Sequence, residues 1–304
     1  MNNSNRRRAK ERSFHGALAL CALLIFLLAL IFAGTNTNLR TVRCGISDAR
    51  IKDELRFVML SDLHRSVYGK EQCDLIAAVD AERPDAVFFC GDVFDEYGEY
   101  DKIRPLLEAL GAAYPCYFVS GNHEFYSNIT RELRAEYRQM LSECGIVWLA
   151  SDQTTLTFGE TTVDLFGIED QNRYLVYDPD DEERFRDGNF SADFEALSDK
   201  VSNERFSILL CHRPMPDEVR ASNFDLVLSG HMHGGQWRFP PLVNGLYTPN
   251  QGFFPDYAGG LYHIDDSVLF VGRGLCKTGV VPRFCNRPEV VVIELHPETS
   301  GNGE

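Results

Sequence analysis

Past residue 55 the chain alternates short apolar runs with stretches of helical period. The runs 56–61 (RFVMLS), 86–90 (AVFFC) and 116–119 (CYFV) are too short for helices and predict buried strands. Between them, Leu75, Ile76 and Val79 share one helical face ahead of Pro84. Ile103, Leu106, Leu107 and Leu110 mark a second helix, with Gly111 expected as its C-terminal cap. Leu133, Tyr137, Met140 and Leu141 mark a third, over about 130–144, that ends at Gly145. The pattern then changes. Residues 146–150, 154–158 and 162–168 read as successive strands with short turns, 206–211 and 225–228 as buried strands, and 268–271 and 290–295 as closing strands. An α/β order that becomes mixed and partly antiparallel predicts a four-layer α/β sandwich, two packed mixed sheets flanked by helices.

The N-terminal pattern differs. Ala17–Ala33 holds 17 residues without a charge or a strong polar group. As a helix it spans about 25 Å, near the lower limit for crossing a bilayer. A secretory signal core is shorter and ends in a small-x-small site, whereas here Ile31 stands two positions before Ala33. We therefore read an uncleaved signal anchor rather than a cleaved signal. Arg6, Arg7, Arg8, Lys10 and Arg12 precede it against the single Glu11, and positive charge tends to stay in the cytoplasm. The expected organisation is a basic cytoplasmic segment at 1–16, a single-pass anchor at 17–34, a polar linker at 35–52, an extracytoplasmic domain at 53–298 and a tail at 299–304.

Charge and cysteine usage narrow the partners. The net charge of −15 repels polyanions, so nucleic acid is not expected as a partner. Nine cysteines in 304 residues are too sparse, and odd in number, for a disulfide framework. Cys90 and Cys211 lie in apolar strand patterns where free thiols are common. The acidic stretch Asp178–Asp187 reads as a solvated loop. The oligomeric state is left open.

The chemistry gathers at strand ends. The first run leads into Asp62-Leu63-His64, the second into Gly91-Asp92, the third into Gly121-Asn122-His123-Glu124, the fourth into His212, and the fifth into Gly230-His231-Met232-His233-Gly234-Gly235. Each piece alone is ordinary: Asp-x-His is usually a surface pair, Gly-Asp a turn, and a single His a satisfied core residue. Five such pieces in order, each after its own buried strand, point to one site at the carboxyl edge of a sheet. Nitrogen and carboxylate donors without clustered thiolates suit zinc, iron or manganese. Seven candidate ligands are too many for one tetrahedral ion and suit two ions sharing a carboxylate, an arrangement that clamps both oxygens of a phosphoryl displacement.

With Asp62-x-His64, Gly91-Asp92, Gly121-Asn122-His123-Glu124, His212 and Gly230-His231-x-His233 in order, the chain resembles the calcineurin-like metallophosphoesterases from about Leu55 to the C-terminus. The resemblance implies a sandwich of two mixed sheets and a dinuclear centre of two divalent metals. It implies that Asp62, His64 and His233 hold one metal, that Asn122, His212 and His231 hold the other, and that Asp92 bridges them. It further implies in-line attack on phosphorus by a metal-bound hydroxide, with His123 protonating the leaving oxygen and Asp62 orienting it. Gly234-Gly235-Gln236, Gly272-Arg273-Gly274-Leu275, Pro282-Arg283-Phe284 and Arg287-Pro288-Glu289 look like the bacterial membrane-associated branch. Some members of that branch cleave lipid-linked or sugar-nucleotide pyrophosphates such as UDP-2,3-diacylglucosamine. The expected substrate is a phosphodiester, pyrophosphate or phosphomonoester, lipid-linked or of the cell envelope. The competing readings are a non-catalytic tethered scaffold and a nuclease on the same fold. Arg65, Lys277, Arg283 and Arg287 are candidate phosphate contacts or plain surface charges. Phe125, Tyr126, Trp237, Phe253 and Phe254 are candidates for an apolar cleft or ordinary packing.

Overall fold

A computed structural model describes residues 3–95, 100–126, 129–175, 189–248, 251–277 and 281–298. The stretch Asp178–Asp187 and the tail 299–304 lie outside the described residues.

Two six-stranded sheets face each other. The first holds β1 (Arg40–Asp48), β2 (Leu55–Leu60), β3 (Ala86–Cys90), β4 (Cys116–Val119), β5 (Ile146–Trp148) and β14 (Glu289–Pro297), in the order β1-β14-β2-β3-β4-β5. The second holds β6 (Asp152–Phe158), β7 (Thr161–Ile168), β8 (Phe206–Cys211), β9 (Leu226–Ser229), β12 (Gly260–Ile264) and β13 (Ser267–Val271), in the order β12-β13-β9-β8-β7-β6, and β10 (Tyr247–Thr248) pairs with β11 (Gly252–Phe253) in a separate two-stranded sheet. Strands β2, β3 and β4 run parallel, as do β7, β8, β9 and β13.

Helices explain why these strands are apolar throughout. Between the sheets, Phe57, Met59 and Phe88 meet Leu165, Ile208 and Leu228. Outside the first sheet, α2 (Cys73–Asp80), α3 (Arg104–Ala113) and α4 (Arg131–Glu143) bury Leu75, Leu106 and Tyr137 against Val58 and Phe118. Outside the second, α5 (Phe190–Ser198) and α6 (Pro216–Arg220) bury Phe194 and Val219 against Leu209 and Val227. A central strand is thus covered on both faces, and no residue of β3 or β8 reaches solvent.

Three details differ from the sequence reading. The expected linker 35–52 contains β1, which pairs parallel with β14 over nine positions. Gly111 lies inside α3 rather than capping it; a Cβ there would overlap the Cys144 carbonyl, so glycine is required by the close approach of α3 to the end of α4. Helix α5 and the strand β12 had no clear periodic signal. The long helix α1 (Asn3–Gly34) contains Phe14–Gly34, which is long and apolar enough to cross a membrane and is not packed against the rest of the chain over its most apolar window. The nine cysteines are all free, as the sparse spacing implies.

Candidate metal centre

The parallel strands of both sheets end at one edge, and their loops stay hydrogen-bonded beyond the strands. Asp62 N donates to Gly91 O (3.0 Å), His64 N to Asp92 O (3.0 Å), and Gly230 N to His212 O (2.9 Å). These bonds draw the five sequence blocks together. Asp62, His64, Asp92 and His233 form one group of facing donor atoms, and Asp92, His212 and His231 a second. Asp92 belongs to both. Its Oδ2 lies 3.1 Å from His212 Nε2 and 3.7 Å from His64 Nε2, while its Oδ1 accepts from His123 N at 2.8 Å. One oxygen therefore faces both groups and the other is held by the backbone.

Asn122 follows β4 in the third block, next to His123, whose backbone N bonds Asp92. Asn122 is buried, its Nδ2 donates to Tyr126 Oη (2.9 Å), and its Oδ1 has no partner among the described residues. A buried carbonyl oxygen without a donor is costly unless it meets a cation. The histidines carry the same signature. His212 Nδ1 meets Cys90 O at 2.8 Å, which fixes its N–H there and turns Nε2 inward, 3.2 Å from His231 Nδ1. His233 Nε2 lies 3.5 Å from Asp62 Oδ1. Facing nitrogens, an orphaned amide oxygen and two fully buried carboxylates are a donor set that fits a pair of divalent cations.

The electrostatics separate His212 from the other three histidines. Burial pushes His64 and His233 down to about 3. Burial and then the charge of His212 hold His231 well below its usual range. These rings are neutral and offer lone pairs. Burial also works against charge on His212, but Asp92 outweighs it and drives that ring up to about 10. Asp92 in turn stays well below the carboxylate range despite its burial, held by the charge and hydrogen bond of His212. Burial raises Asp62 against the opposing pull of His212.

The backbone here is strained. Asp62 (φ 51°), His64 (49°), Asp92 (53°), His231 (69°) and His233 (46°) all adopt left-handed conformations. Each costs about 1–3 kcal/mol in a non-glycine residue, and such strain collects at functional sites. Close packing adds to it: at Gly121 a Cβ would overlap Asp92 Oδ1, so only glycine lets the loop after β4 pass the carboxylate.

Supporting residues were less legible. Glu124 is fully buried and accepts from Asp92 N (3.1 Å), Phe94 N (3.0 Å) and Gly121 N (2.7 Å), tying two ligand loops together. Burial and the nearby Asp92 push it up to about 7. Arg213, next to His212, donates to Asp170 at 2.6 Å, and Asn286 donates to His233 O at 2.7 Å. His123 is half-buried, its ring 4.4 Å from that of His64 and 4.3 Å from that of Tyr126.

The candidate phosphate contacts divide. Arg65 pairs with Asp95 at 3.1 Å, and Lys277 Nζ lies over the Tyr68 ring at 3.8 Å. Arg283 is buried and donates to Cys276 O, Arg273 O and Gly274 O, while Arg287 donates to Asn38 O and Leu39 O. Both arginines staple backbone. Phe125 is core, Tyr126 is a hydrogen-bond partner of Asn122, and Phe253 and Phe254 point outward at 70% and 64% exposure.

Residues 55–235 match the family model described as Calcineurin-like phosphoesterase, a span that includes all five sequence blocks. The chain belongs to this family. The metallophosphoesterase YkuE of Bacillus subtilis (strain 168) is 27% identical over 251 residues, 80% of this chain and 79% of that one. A transmembrane protein with metallophosphoesterase domain from Danio rerio is 28% identical over 253 residues, 79% of this chain and 53% of that one. Among solved structures, a dimetal phosphatase from Danio rerio shares 15% identity over 76% of this chain and 90% of that one, with a TM-score of 0.42. This metallophosphoesterase is thus a metal-dependent phosphoester hydrolase with two candidate ligand groups at the joint edge of its sheets.

Proposed function

We propose that the chain is a membrane-anchored, dinuclear-metal phosphoesterase that cleaves a phosphodiester, pyrophosphate or phosphomonoester bond in a lipid-linked or cell-envelope compound. The observation that carries this reading is Asp92 Oδ2, the single oxygen that faces both ligand groups. In it, Asp62, His64 and His233 hold one cation; Asn122, His212 and His231 hold the other; Asp92 joins them. Two divalent cations in that position supply water activation near neutral pH and neutralise charge on the phosphoryl oxygens.

The chain's own residues do the rest. The Cys90 carbonyl accepts from His212 Nδ1 and orients the ring, and His123 N holds Asp92 Oδ1 so that Oδ2 stays inward. Glu124 locks the loops after β3 and β4 in register. His123, at the mouth between His64 and Tyr126, donates a proton to the leaving oxygen. The anchor reading rests on Phe14–Gly34 and its unpacked apolar surface, with the domain on the extracytoplasmic side by the charge bias of residues 6–12. The acidic net charge weighs against a nuclease, and the full ligand set against a scaffold.

The test is hydrolysis of bis-p-nitrophenyl phosphate and p-nitrophenyl phosphate by the full chain in detergent, with and without manganese. Metal-dependent turnover, lost in His123→Ala at saturating metal, supports the assignment. Turnover without added or bound metal overturns it.

A further inference from the structure

The segment after the last ligand carries exposed apolar side chains. Trp237 is 38% exposed, Phe239 42%, Leu242 88%, Phe253 70% and Phe254 64%. They belong to one folded unit. Phe239 and Val243 form a bridge, Leu242 N donates to Phe239 O (2.8 Å), Phe254 N donates to Leu246 O (2.8 Å), and Leu246 N donates to Gly235 O (3.0 Å). A soluble domain rarely presents so many large apolar groups together without a partner.

The place of this unit indicates the partner. The Trp237 and Phe239 rings each lie 5.7 Å from that of Phe284. Phe284 is where α1 ends: a Cβ on Gly34 would overlap its ring, and Cys285 N donates to Gly34 O at 2.6 Å. The apolar unit therefore adjoins the point where the anchor helix meets the domain. Tryptophan and phenylalanine flanking a spanning helix are the side chains that settle at the boundary of headgroups and acyl chains. The net charge of −15 makes charge attraction to an anionic surface a poor alternative.

We propose that Trp237, Phe239, Leu242, Phe253 and Phe254 form a second, interfacial membrane contact that seats the domain on the bilayer crossed by α1; this rests on the anchor reading above. It has a consequence for the substrate. Asn286, two residues from Phe284, donates to His233 O (2.7 Å) and Gln236 O (3.2 Å), and Trp237 follows His233 by four residues. The membrane contact is thus tied directly to a ligand loop. Seating it holds the metal centre next to the headgroup layer, where a lipid-borne phosphate is met without leaving the bilayer.

The chain has two tryptophans, so Trp148→Phe leaves Trp237 as sole fluorophore. The full-length variant is reconstituted in phosphatidylcholine vesicles containing bromine-labelled acyl chains, and flotation confirms anchoring. Bromolipid is expected to quench Trp237 while aqueous iodide does so weakly. The reciprocal Trp237→Phe chain, which reports Trp148 on β5, is expected to escape bromolipid. Adding Leu242→Asp and Phe253→Asp is expected to reduce the quenching of Trp237 at least about two-fold while the chain still floats. A floating chain whose Trp237 is open to iodide and untouched by bromolipid overturns this contact and leaves the phosphoesterase reading intact. Self-association lost on Leu242→Asp, without lipid quenching, would assign the patch to a second copy and also overturn it. A chain that does not float overturns both the anchor and the contact.

Discussion

Five left-handed residues within one buried site mark where the chain holds strain for the sake of chemistry. Asp62, His64, Asp92, His231 and His233 are not residues that reach positive φ at no cost, yet the loops hold them there through cross-strand backbone bonds and Glu124. Disturbing that frame should cost activity more than stability. Gly121→Ala puts a Cβ on Asp92 Oδ1, and we expect its turnover of bis-p-nitrophenyl phosphate to fall by about 100-fold, the scale of an ångström-sized misplacement. Normal turnover in that variant would show that Asp92 can move freely. The clustering of Asp62, His64, Asp92, His212, His231 and His233 was readable from sequence because each lies directly after an apolar run. The strain was not, because Asp and His, though enriched at positive φ, adopt it too rarely to give a local signal of it. The roles of two arginines were illegible for a related reason. Arg283 and Arg287 flank prolines and look like surface charges or anion contacts, but Arg283 satisfies buried backbone carbonyls and Arg287 ties down the carbonyls of Asn38 and Leu39.

At the scale of elements, β1 is the main surprise. Val42, Cys44 and Ile46 alternate inward with period two, but Thr41, Arg43 and Gly45 between them make the stretch look like polar linker. An edge strand needs only one buried face, so its signal is half that of a central strand. Its far end is tied down by charge. Arg50 donates to Asp48 from Nε (2.8 Å) and Nη2 (2.7 Å), and Nη2 also reaches Asp225 (2.7 Å) just before β9, so the pair links the two sheets. The hydrogen bond from Arg50 holds Asp48 below its ordinary 3.8. A depressed carboxylate contributes stability above its unfolded value and loses it as pH falls through the folded one. Asp48→Asn should therefore lower the denaturation midpoint at pH 7, with the difference from the parent chain closing below about pH 3.8; a difference that persists at low pH would contradict this. Gly111→Ala tests packing between α3 and α4. The overlap with the Cys144 carbonyl should destabilise by about 1–3 kcal/mol with the metal centre unaffected, read as a lower melting temperature at unchanged specific activity.

For the whole molecule, the sandwich, its parallel strand ends and the apolar N-terminal helix were all legible, because each rests on a long or repeated pattern. The covering role of α5, the interlock of Asn286 with His233 and the apolar unit beside Phe284 were not, because each depends on contacts between residues far apart in the chain. Two bulk properties follow from the fold. Burial raises the Cys90 and Cys211 thiols well above 9.0 and Cys116 up to about 12, so alkylation of the native chain at pH 8 should mark Cys73 and Cys285, which are exposed, and spare those three. Modification of Cys90 before unfolding would contradict the packing between the sheets, and of Cys211 the packing of α5 and α6 on β8. Fully buried carboxylates beside neutral imidazoles also imply that chelation lowers the melting temperature, since a ligand at about 100 times its Kd adds about 2.7 kcal/mol to the folded state. The most direct test of a shared carboxylate is metal content and turnover measured together on the full chain and on Asp92→Asn. The parent should hold two divalent ions per chain with metal-dependent hydrolysis, and the variant should lose at least one ion and its turnover. An Asp92→Asn chain that keeps both ions and the full rate would contradict a centre joined through Asp92.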